Sequence, residues 1–142
     1  MPSSPAADSG NASQLDDLYT LVPFAATLGM RLTEATRERV TGTLDWAAER
    51  CTAGGAMHGG ALMTLADVVG AVCAFLNLPD GATTVTVSSS TNFMRAVREG
   101  TVRAIATPLH TGRTIIVVQT DLRDASNRII AHMTQSQAVL RG

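Results

Sequence analysis

The longest apolar segment of the chain runs from Ala61 to Leu78, where almost every residue is apolar or small. Because apolar residues occupy every side of the helix that this segment predicts, we expect the rest of the protein to cover the helix all round. Its length is marginal for a bilayer, and Asp67 lies near its middle, where membrane insertion would be costly. We therefore interpret the segment as a buried core helix and expect no membrane span.

Upstream of this helix, the pattern predicts one short helix and two extended stretches. Ser13 is a suitable N-cap with Asp16 in the first turn, and we expect Pro23 to end the short helix. Met30–Thr36 and Val40–Trp46 alternate loosely between apolar and polar residues, which predicts extended chain.

Downstream of the long helix, segments rich in Val, Ile and Thr predict four strands, at Thr83–Met94, Thr101–Leu109, Arg113–Asp124 and Arg128–Leu140. Thr111-Gly112 suits one hairpin turn, and residues 124–127 suit another, with Asn127 tolerating a left-handed conformation. Successive hairpins predict that these strands are antiparallel neighbours. One long helix with about six strands predicts an α+β fold, in which a curved antiparallel sheet wraps around the helix.

Composition narrows the class of protein. The 142 residues suit a single domain, and we expect a loose arm at residues 1–13 and one folded domain at 14–142. The formal net charge of −1 lacks the basic balance typical of nucleic-acid binders. All 11 basic residues are arginines, which disfavours Schiff-base and P-loop chemistry because both need a lysine.

Cysteine and histidine are too sparse to predict a metal centre. Cys51 and Cys73 do not form a CxxC motif, and the histidines lack the spacing of a zinc-binding helix, so we expect no metal. Two cysteines are also too few for a disulfide framework, and we expect no signal peptide in the N-terminal arm. A reducing cytoplasm is the expected location.

Asp67 is the anomalous residue of the apolar helix. It lies about two turns inside the helix, too deep to be a cap, and its helical neighbours Met63, Gly70 and Ala71 carry no opposite charge. Removing an unpartnered carboxylate from water costs on the order of several kcal/mol, so a chain that tolerates one usually has a use for it. Alternatively, Asp67 caps a neighbouring loop or pairs with an arginine from a distant strand.

His58-Gly59-Gly60 comes immediately before the apolar segment. The two glycines allow a sharp turn and let a ligand approach the first free N–H groups of the helix, which can bind a carbonyl oxygen or an anion. Alternatively, this is a Gly-rich loop that simply starts a helix, with His58 in a structural hydrogen bond.

Oxyanion donors at a helix start and a carboxylate about two turns further along suit hydrolysis of an activated carbonyl. On one helix, however, the two groups are about 12 Å apart, which is too far for both to act on one carbonyl. If both features are functional, a symmetric dimer in which the second helix supplies the carboxylate resolves this distance.

The segment Gly55–Leu62, continuing to Leu65–Asp67, closely resembles the signature of hotdog-fold acyl-CoA thioesterases. The branch that it most resembles is the phenylacetate-degradation type, related to one class of 4-hydroxybenzoyl-CoA thioesterases. In that family a His-Gly-Gly motif is followed by an Ala-Asp or Ala-Glu pair at the spacing seen here. Further similarity covers most of the chain from Phe24 to Val139, with matching motifs at Asn92–Arg95, Gly100 and His110–Arg113.

The resemblance implies a curved sheet around a central helix, dimers formed by joining two sheets edge to edge, and often pairing of dimers into tetramers. It implies that the backbone N–H of Gly59 polarises the thioester carbonyl. Asp67 of the opposite subunit would be the general base or the nucleophile, and His58 would orient the loop. The acyl-CoA substrate brings its own coenzyme A, so no separate cofactor is expected.

Two positions depart from the family pattern. Thr52 stands six residues before His58, where the family usually has Asn or Gln that helps to position the water or the carbonyl. A threonine hydroxyl is shorter but can still donate and accept. Ala71 stands one turn after Asp67, where some aryl-CoA members have a hydroxyl residue. These departures bear on rate and substrate preference more than on the fold.

Substrate-binding residues follow from the same resemblance. Guanidinium groups suit the phosphates of coenzyme A, although each arginine taken singly also fits an ordinary solvated surface. We expect the acyl chamber to be lined by Met63 and the face of 84–93. The candidate substrate-binding residues are Gly60, Met63, Asn92, Phe93, Arg95, Arg98 and Arg113.

Two other functions remain open from the sequence. A non-catalytic acyl-CoA binding or sensing protein of the same fold would be consistent with the Thr52 departure. A hotdog dehydratase or hydratase would ordinarily pair a catalytic histidine with an acid in a different motif. Thioester hydrolysis is the function that the residues favour.

Overall fold

The structure, a computed structural model, describes residues 17–142. Within that range, a six-stranded antiparallel sheet packs against one long helix. Residues 17–21 are also helical, and two short 3₁₀ turns lie between the second strand and the long helix. The helices and strands are α1 Pro23–Leu28, β1 Arg31–Ala35, β2 Val40–Asp45, α2 Gly59–Leu76, β3 Ala82–Phe93, β4 Thr101–Thr111, β5 Ile115–Arg123 and β6 Ile129–Arg141.

The sheet curls around α2, which confirms the predicted α+β hotdog architecture. The helix contacts every one of the six described strands. Neighbouring strands lie about 4.8 Å apart, so a flat sheet of this size would be about 24 Å wide, roughly twice the diameter of a helix. A single helix can reach all six strands only if the sheet bends around it.

β3 lies at the sheet edge, not beside β4 as successive hairpins predicted. The strand order is β1-β2-β4-β5-β6-β3, so β3 pairs with β6. Residues 94–100 carry the chain back across the end of the sheet, and Val97 is buried within this connection. Its carbonyl accepts a hydrogen bond from the N–H of Met57, which ties the connection to the segment before α2. A connection anchored in the core replaces the tight turn that the prediction assumed.

The other two predicted hairpins are present. β4 and β5 are joined through Gly112, whose N–H donates to the carbonyl of Ile115. β5 and β6 are joined through residues 124–128, where Asn127 has the expected left-handed conformation with φ of 64°. Strand ends differ from the predicted ones by at most two residues.

Residues 17–142 do not cover helix α2 all round, contrary to the expectation from its apolar sequence. Eight of its residues are buried, mostly against the sheet, whereas Met63 and Phe75 are 38% and 58% exposed. Asp67 and Ala71 lie on the same side, one turn apart, and are half-buried. The sheet of one chain covers only one side of the helix, so an apolar stripe remains uncovered in the part of the chain that the structure describes. By length and composition α2 could cross a membrane, but it is instead the central helix of the sheet.

The N-terminal prediction is partly corrected. Ser13 and the arm at 1–13 lie outside the described residues, and the proposed domain limits stay a prediction. Pro23 does not merely end the first helix but occupies the first position of α1, where its missing N–H costs nothing. Gly29 ends α1 with φ of 86°.

The inner side of α2 is tightly packed. Gly42 on β2 allows close approach, because a Cβ at that position would lie 2.8 Å from Val69 Cγ2. Cys73, predicted to be a small core residue, is fully buried, and burial raises the pKa of its thiol to about 11. This thiol is therefore protonated and inert at neutral pH.

Candidate active site

The start of α2 is organised by His58, the N-cap residue. Its Nδ1 accepts a hydrogen bond of 2.8 Å from the N–H of Gly60, so one free helix donor is satisfied by the residue that precedes the helix. The backbone N–H of His58 in turn donates to the carbonyl of Arg50. Gly54 and Gly55 both have positive φ, which lets the preceding loop turn sharply towards the helix.

The N–H of Gly59 has no hydrogen-bond acceptor among residues 17–142. The ring of Phe93 packs against this glycine, since a Cβ at position 59 would lie 3.1 Å from Phe93 Cζ. Gly59 and Phe93 border a surface cleft of about 360 Å³ that is also lined by Ala56, Met57, Leu62, Met94, Arg95 and Ala96. An unsatisfied donor therefore borders a space that a ligand can enter.

Asp67 is not the unpartnered carboxylate that its helical neighbours predicted. Its Oδ1 accepts a hydrogen bond of 3.0 Å from Thr86 Oγ1 on β3 and one of 2.9 Å from Gln135 Nε2 on β6. Neither predicted alternative holds, because the partners are neither an arginine nor a loop backbone. Both donors are neutral, so they hold the carboxylate without an opposite charge.

The second cleft lies beside Asp67 and is almost entirely apolar. It measures about 350 Å³, and its walls come from α2, from Thr84 on β3 and from the segment before α1. The apolar lining residues are Leu18, Leu21, Val22, Val68, Ala71, Val72 and Phe75. Sequence reasoning had assigned no role in the site to the N-terminal segment, although the spacing of Leu18 and Val22 on one helical face was a signal that it packs against something.

The two clefts are separate half-sites of one chain. Gly59 and Asp67 are eight residues apart on a continuous helix, which corresponds to about 12 Å. Met63 lies between them along the uncovered stripe of α2, and Gly60 is exposed at the helix start. The single chain brings both groups to its uncovered side but does not bring them together.

Three other predicted site residues are less centrally placed. Asn92 precedes Phe93 on β3 and therefore points to the opposite side of the sheet, away from α2. Thr52 is exposed at the start of a 3₁₀ turn, and its side chain has no hydrogen bond among the described residues. Arg98 donates from Nη1 to the carbonyl of Gly54 at 2.6 Å, which fastens it to the loop before α2.

The candidate phosphate-binding arginines lie at both ends of α2. Arg95 borders the Gly59 cleft. Arg113 lies near the other end of the helix, in a cleft of about 490 Å³ that also contains Arg37, Arg141 and Asp80. Within residues 17–142 no group of three or more His, Cys, Asp or Glu side chains could hold a metal ion.

Known proteins match both the sequence and the fold. The family described as the thioesterase superfamily matches residues 54–131. A Bacillus subtilis protein named as an esterase, ComA2, is 34% identical over 116 residues, which cover 80% of this chain and 91% of that protein. The 1,4-dihydroxy-2-naphthoyl-CoA hydrolase of Escherichia coli is 33% identical over 86 residues, 61% of this chain and 63% of that enzyme. Some matches are shorter, such as one that spans 54% of a Haemophilus influenzae protein.

Among solved structures, thioesterase HI1161 from Haemophilus influenzae superposes with a TM-score of 0.84 at 29% sequence identity. The superposition covers 89% of this chain and 90% of that one.

Proposed function

The chain belongs to the thioesterase superfamily and is a thioester hydrolase, and we propose that its substrate is an acyl- or aryl-CoA, hydrolysed to the free acid and coenzyme A. The observation that carries this proposal is the pair of half-sites on the uncovered side of α2. One offers a free N–H beside a cleft, and the other offers a carboxylate beside an apolar cleft. An activated carbonyl needs both a donor for its oxygen and a base or nucleophile for its carbon.

The complete site requires a second copy of the chain. The uncovered stripe of α2 includes exposed Met63 and Phe75. If two such helices pack antiparallel about a two-fold axis that passes beside Met63, midway between positions 59 and 67, Gly59 of each lies level with Asp67 of the other. Each dimer then contains two equivalent sites.

The free edge of β3 supports the same dimer. Among the described strands β3 pairs only with β6, so its other edge has unpaired backbone N–H and C=O groups. The strand is twelve residues long and contains neither a charged residue nor a proline, and Val85 and Val87 are 48% and 59% exposed. Edges of this kind usually pair with another strand, so we assign β3 to the dimer interface. The resemblance also implies that dimers pair into tetramers. Such pairing would use other surfaces, because α2 and β3 would already be covered in the dimer.

The chemistry follows from these positions. The N–H of Gly59 polarises the thioester carbonyl and stabilises the oxyanion that forms when the carbon is attacked. As general base, Asp67 of the partner subunit takes the proton from water while the water oxygen bonds to the carbonyl carbon. Collapse of the oxyanion breaks the C–S bond, and the coenzyme A thiolate takes up a proton. As nucleophile, Asp67 would bond to the carbon itself, and breakage of the C–S bond would expel the coenzyme A thiolate and leave an anhydride that water then cleaves.

The acyl group would occupy the apolar cleft beside Asp67. Its walls include the Phe75 ring and branched aliphatic side chains, and only Asp67 and Thr84 contribute polar groups. Aromatic and medium-chain acyl groups suit an apolar cleft of about 350 Å³ better than a long chain does. Arg95 borders the Gly59 cleft and would meet the phosphates of coenzyme A. Arg98 would assist from its place beside the loop before α2, whereas Arg113 lies in the cleft at the opposite end of that helix.

Subunit mixing tests the proposal most directly. Hydrolysis is first measured on a panel of aryl-, short-, medium- and long-chain acyl-CoAs, by following the released thiol. Two variants are then paired in one dimer with different affinity tags: Asp67→Asn, and Gly59→Pro, which removes the N–H donor. In a heterodimer one site is doubly impaired and the other is intact, so we expect about half of the wild-type activity per dimer.

Each parent homodimer should be nearly inactive, and the matched control is a heterodimer of Asp67→Asn with wild type. That control also retains one intact site. A mixed heterodimer no more active than its parents would show that both groups act within one chain and would refute the composite site. Saturable binding of every acyl-CoA without thiol release would instead favour a binding protein.

A further inference from the structure

The Asp67 carboxylate is held through one of its two oxygens. Oδ1 accepts both hydrogen bonds, from Gln135 Nε2 at 2.9 Å and from Thr86 Oγ1 at 3.0 Å. Oδ2 has no hydrogen-bond partner among residues 17–142. A carboxylate fixed at Oδ1 by two donors from different strands cannot rotate freely, so the position of Oδ2 is fixed as well.

The direction of the Thr86 hydrogen bond is determined by a third residue. Gln137 is fully buried, and its Nε2 donates to Thr86 Oγ1 at 2.6 Å. Because an amide nitrogen can only donate, Thr86 accepts from Gln137 and directs its single hydroxyl hydrogen to Asp67. The Oε1 of Gln137 lies 3.2 Å from Thr84 Oγ1, whose hydroxyl also donates to the carbonyl of Ala138 at 2.8 Å. A buried chain of polar groups therefore ends at the carboxylate.

Gln135 reaches Asp67 only because residue 70 is a glycine. Gln135 is 1% exposed, and a Cβ at position 70 would lie 1.7 Å from its Oε1. Gly70 lies in the middle of the 18-residue helix α2, where glycine is the poorest helix former after proline. The Oε1 of Gln135 has no hydrogen-bond partner in the described structure. The chain thus accepts a weak helix position and an unsatisfied buried oxygen to place this amide beside Asp67.

We propose that Gln135 is a positioning residue for hydrolysis, which holds Asp67 through Oδ1 so that Oδ2 is presented to the substrate, with Gly70 providing the space for it. This inference rests on the proposed function, because it requires Asp67 to be the base or nucleophile. Gln135 itself does not touch the reacting atoms and acts through Asp67.

Removing the donor while keeping the volume tests the inference. Met is unbranched and similar in size, so Gln135→Met should fold, since it also removes the unsatisfied Oε1. We expect kcat to fall about 10- to 100-fold with KM changed less than threefold, the effect of losing one hydrogen bond to a charged group. Gln119→Met is the matched control, because Gln119 makes one hydrogen bond to Thr107 on the other side of the sheet. Its kcat should stay within twofold of wild type.

The decisive measurement repeats Gln135→Met in the Asp67→Asn background under single-turnover conditions. A residue that acts through Asp67 should have no further effect there, whereas a general structural role would lower the residual rate by the same factor as in wild type. Equal factors in both backgrounds, or an unchanged kcat for a folded Gln135→Met, would overturn the inference. If Asp67→Asn itself retains full activity, the proposed function fails instead, so the two failures are distinguishable.

A second pair of variants tests the role of Gly70. Gly70→Ala should displace Gln135 and lower kcat, although the substitution neither adds nor removes a polar side chain. Adding Gln135→Ala removes the steric conflict, so the double variant should be more stable than Gly70→Ala yet no more active than Gln135→Ala. Full activity of a folded Gly70→Ala would contradict the proposed packing.

Discussion

Two aspartates on opposite sides of the same sheet have different partners. Asp67 lies on the inner side and receives hydrogen bonds from the neutral groups of Gln135 and Thr86. Asp121 lies on the outer side of β5, where its Oδ1 is 2.7 Å from Nδ1 of His132 on β6. The outer pair has the more familiar appearance of a catalytic dyad, because an aspartate orients a histidine.

The surroundings of the two aspartates reverse that impression. The side chains of Asp121 and His132 are each 35% exposed, and Arg123 lies 3.8 Å from the other oxygen of Asp121. Asp121 therefore has cationic or ionisable partners on both oxygens. Neither Asp121 nor His132 borders the Gly59 cleft, the Asp67 cleft or the cleft that contains Arg113. Asp67 has one oxygen without a partner among residues 17–142 and borders an apolar cleft. The comparison teaches that an incompletely satisfied carboxylate beside a cleft is better placed for chemistry than a fully paired one.

The largest expected effect separates these two residues. Asp67→Asn keeps the shape and the ability to accept hydrogen bonds but removes the charge, and we expect kcat/KM to fall by roughly 1,000-fold or more, as for loss of a base or nucleophile. Asp121→Asn should stay within about twofold, because surface ion pairs contribute little. Initial rates of thiol release on the preferred acyl-CoA measure both. Equal losses in the two variants would move the candidate site to the outer side of the sheet.

A smaller effect is expected at the other half-site. Gly59→Pro and Gly59→Ala both add a Cβ near Phe93, but only proline removes the N–H. Position 59 is the first residue of α2, which tolerates proline, and His58 already has the extended conformation that a following proline requires, with φ of −63° and ψ of 134°.

We therefore expect kcat to fall about 100- to 1,000-fold for Gly59→Pro, the usual cost of an oxyanion donor, and less than tenfold for Gly59→Ala. Circular dichroism and gel filtration check that both variants fold and dimerise like wild type. Similar losses in the two variants would indicate that the added Cβ, and not the missing donor, impairs hydrolysis.

Local sequence patterns predicted most of the fold. The apolar run gave α2 to within two residues at each end, and the tolerance of Asn127 for a left-handed conformation marked the β5–β6 turn. The position of β3 could not be predicted this way, because its pairing with β6 joins residues about fifty apart. That pairing places Thr86 opposite Gln137, and no local sequence pattern predicts the hydrogen bond between them.

The candidate site likewise contains residues that local sequence patterns indicated and residues that they could not indicate. Gly59 and Asp67 stood out because a motif and a charge in an apolar helix are local features. Gln135 did not, since it follows Asp67 by 68 residues in a strand of ordinary polar alternation. One signal was available: Gly70 in mid-helix has no local purpose, and such a glycine often marks the close approach of another group. Its partner could be identified only from the fold.

The smallest expected effect concerns a fully paired carboxylate, that of Asp124 in the β5–β6 turn. The backbone N–H of Arg128, and less strongly its guanidinium and the N–H of Ser126, hold the pKa of the Asp124 carboxyl below its ordinary value. A carboxyl with a lowered folded-state pKa stabilises the fold above its unfolded pKa of about 4, and this contribution is lost as the pH falls through the lower folded value. Asp124→Asn should therefore lower Tm by only about 1–2 °C at pH 7.

The difference between wild type and Asp124→Asn should shrink as the pH is lowered from 5 to 3, because protonation then removes the charge from the wild-type residue as well. Thermal unfolding at these pH values measures it, with Asp80→Asn as the control, since Asp80 has no ion pair or side-chain hydrogen bond in the described structure. Hydrolysis by Asp124→Asn should equal that of wild type at pH 7. A constant difference in Tm across this range would mean that Asp124 stabilises the turn through its shape, and that its charge, unlike that of Asp67, is dispensable.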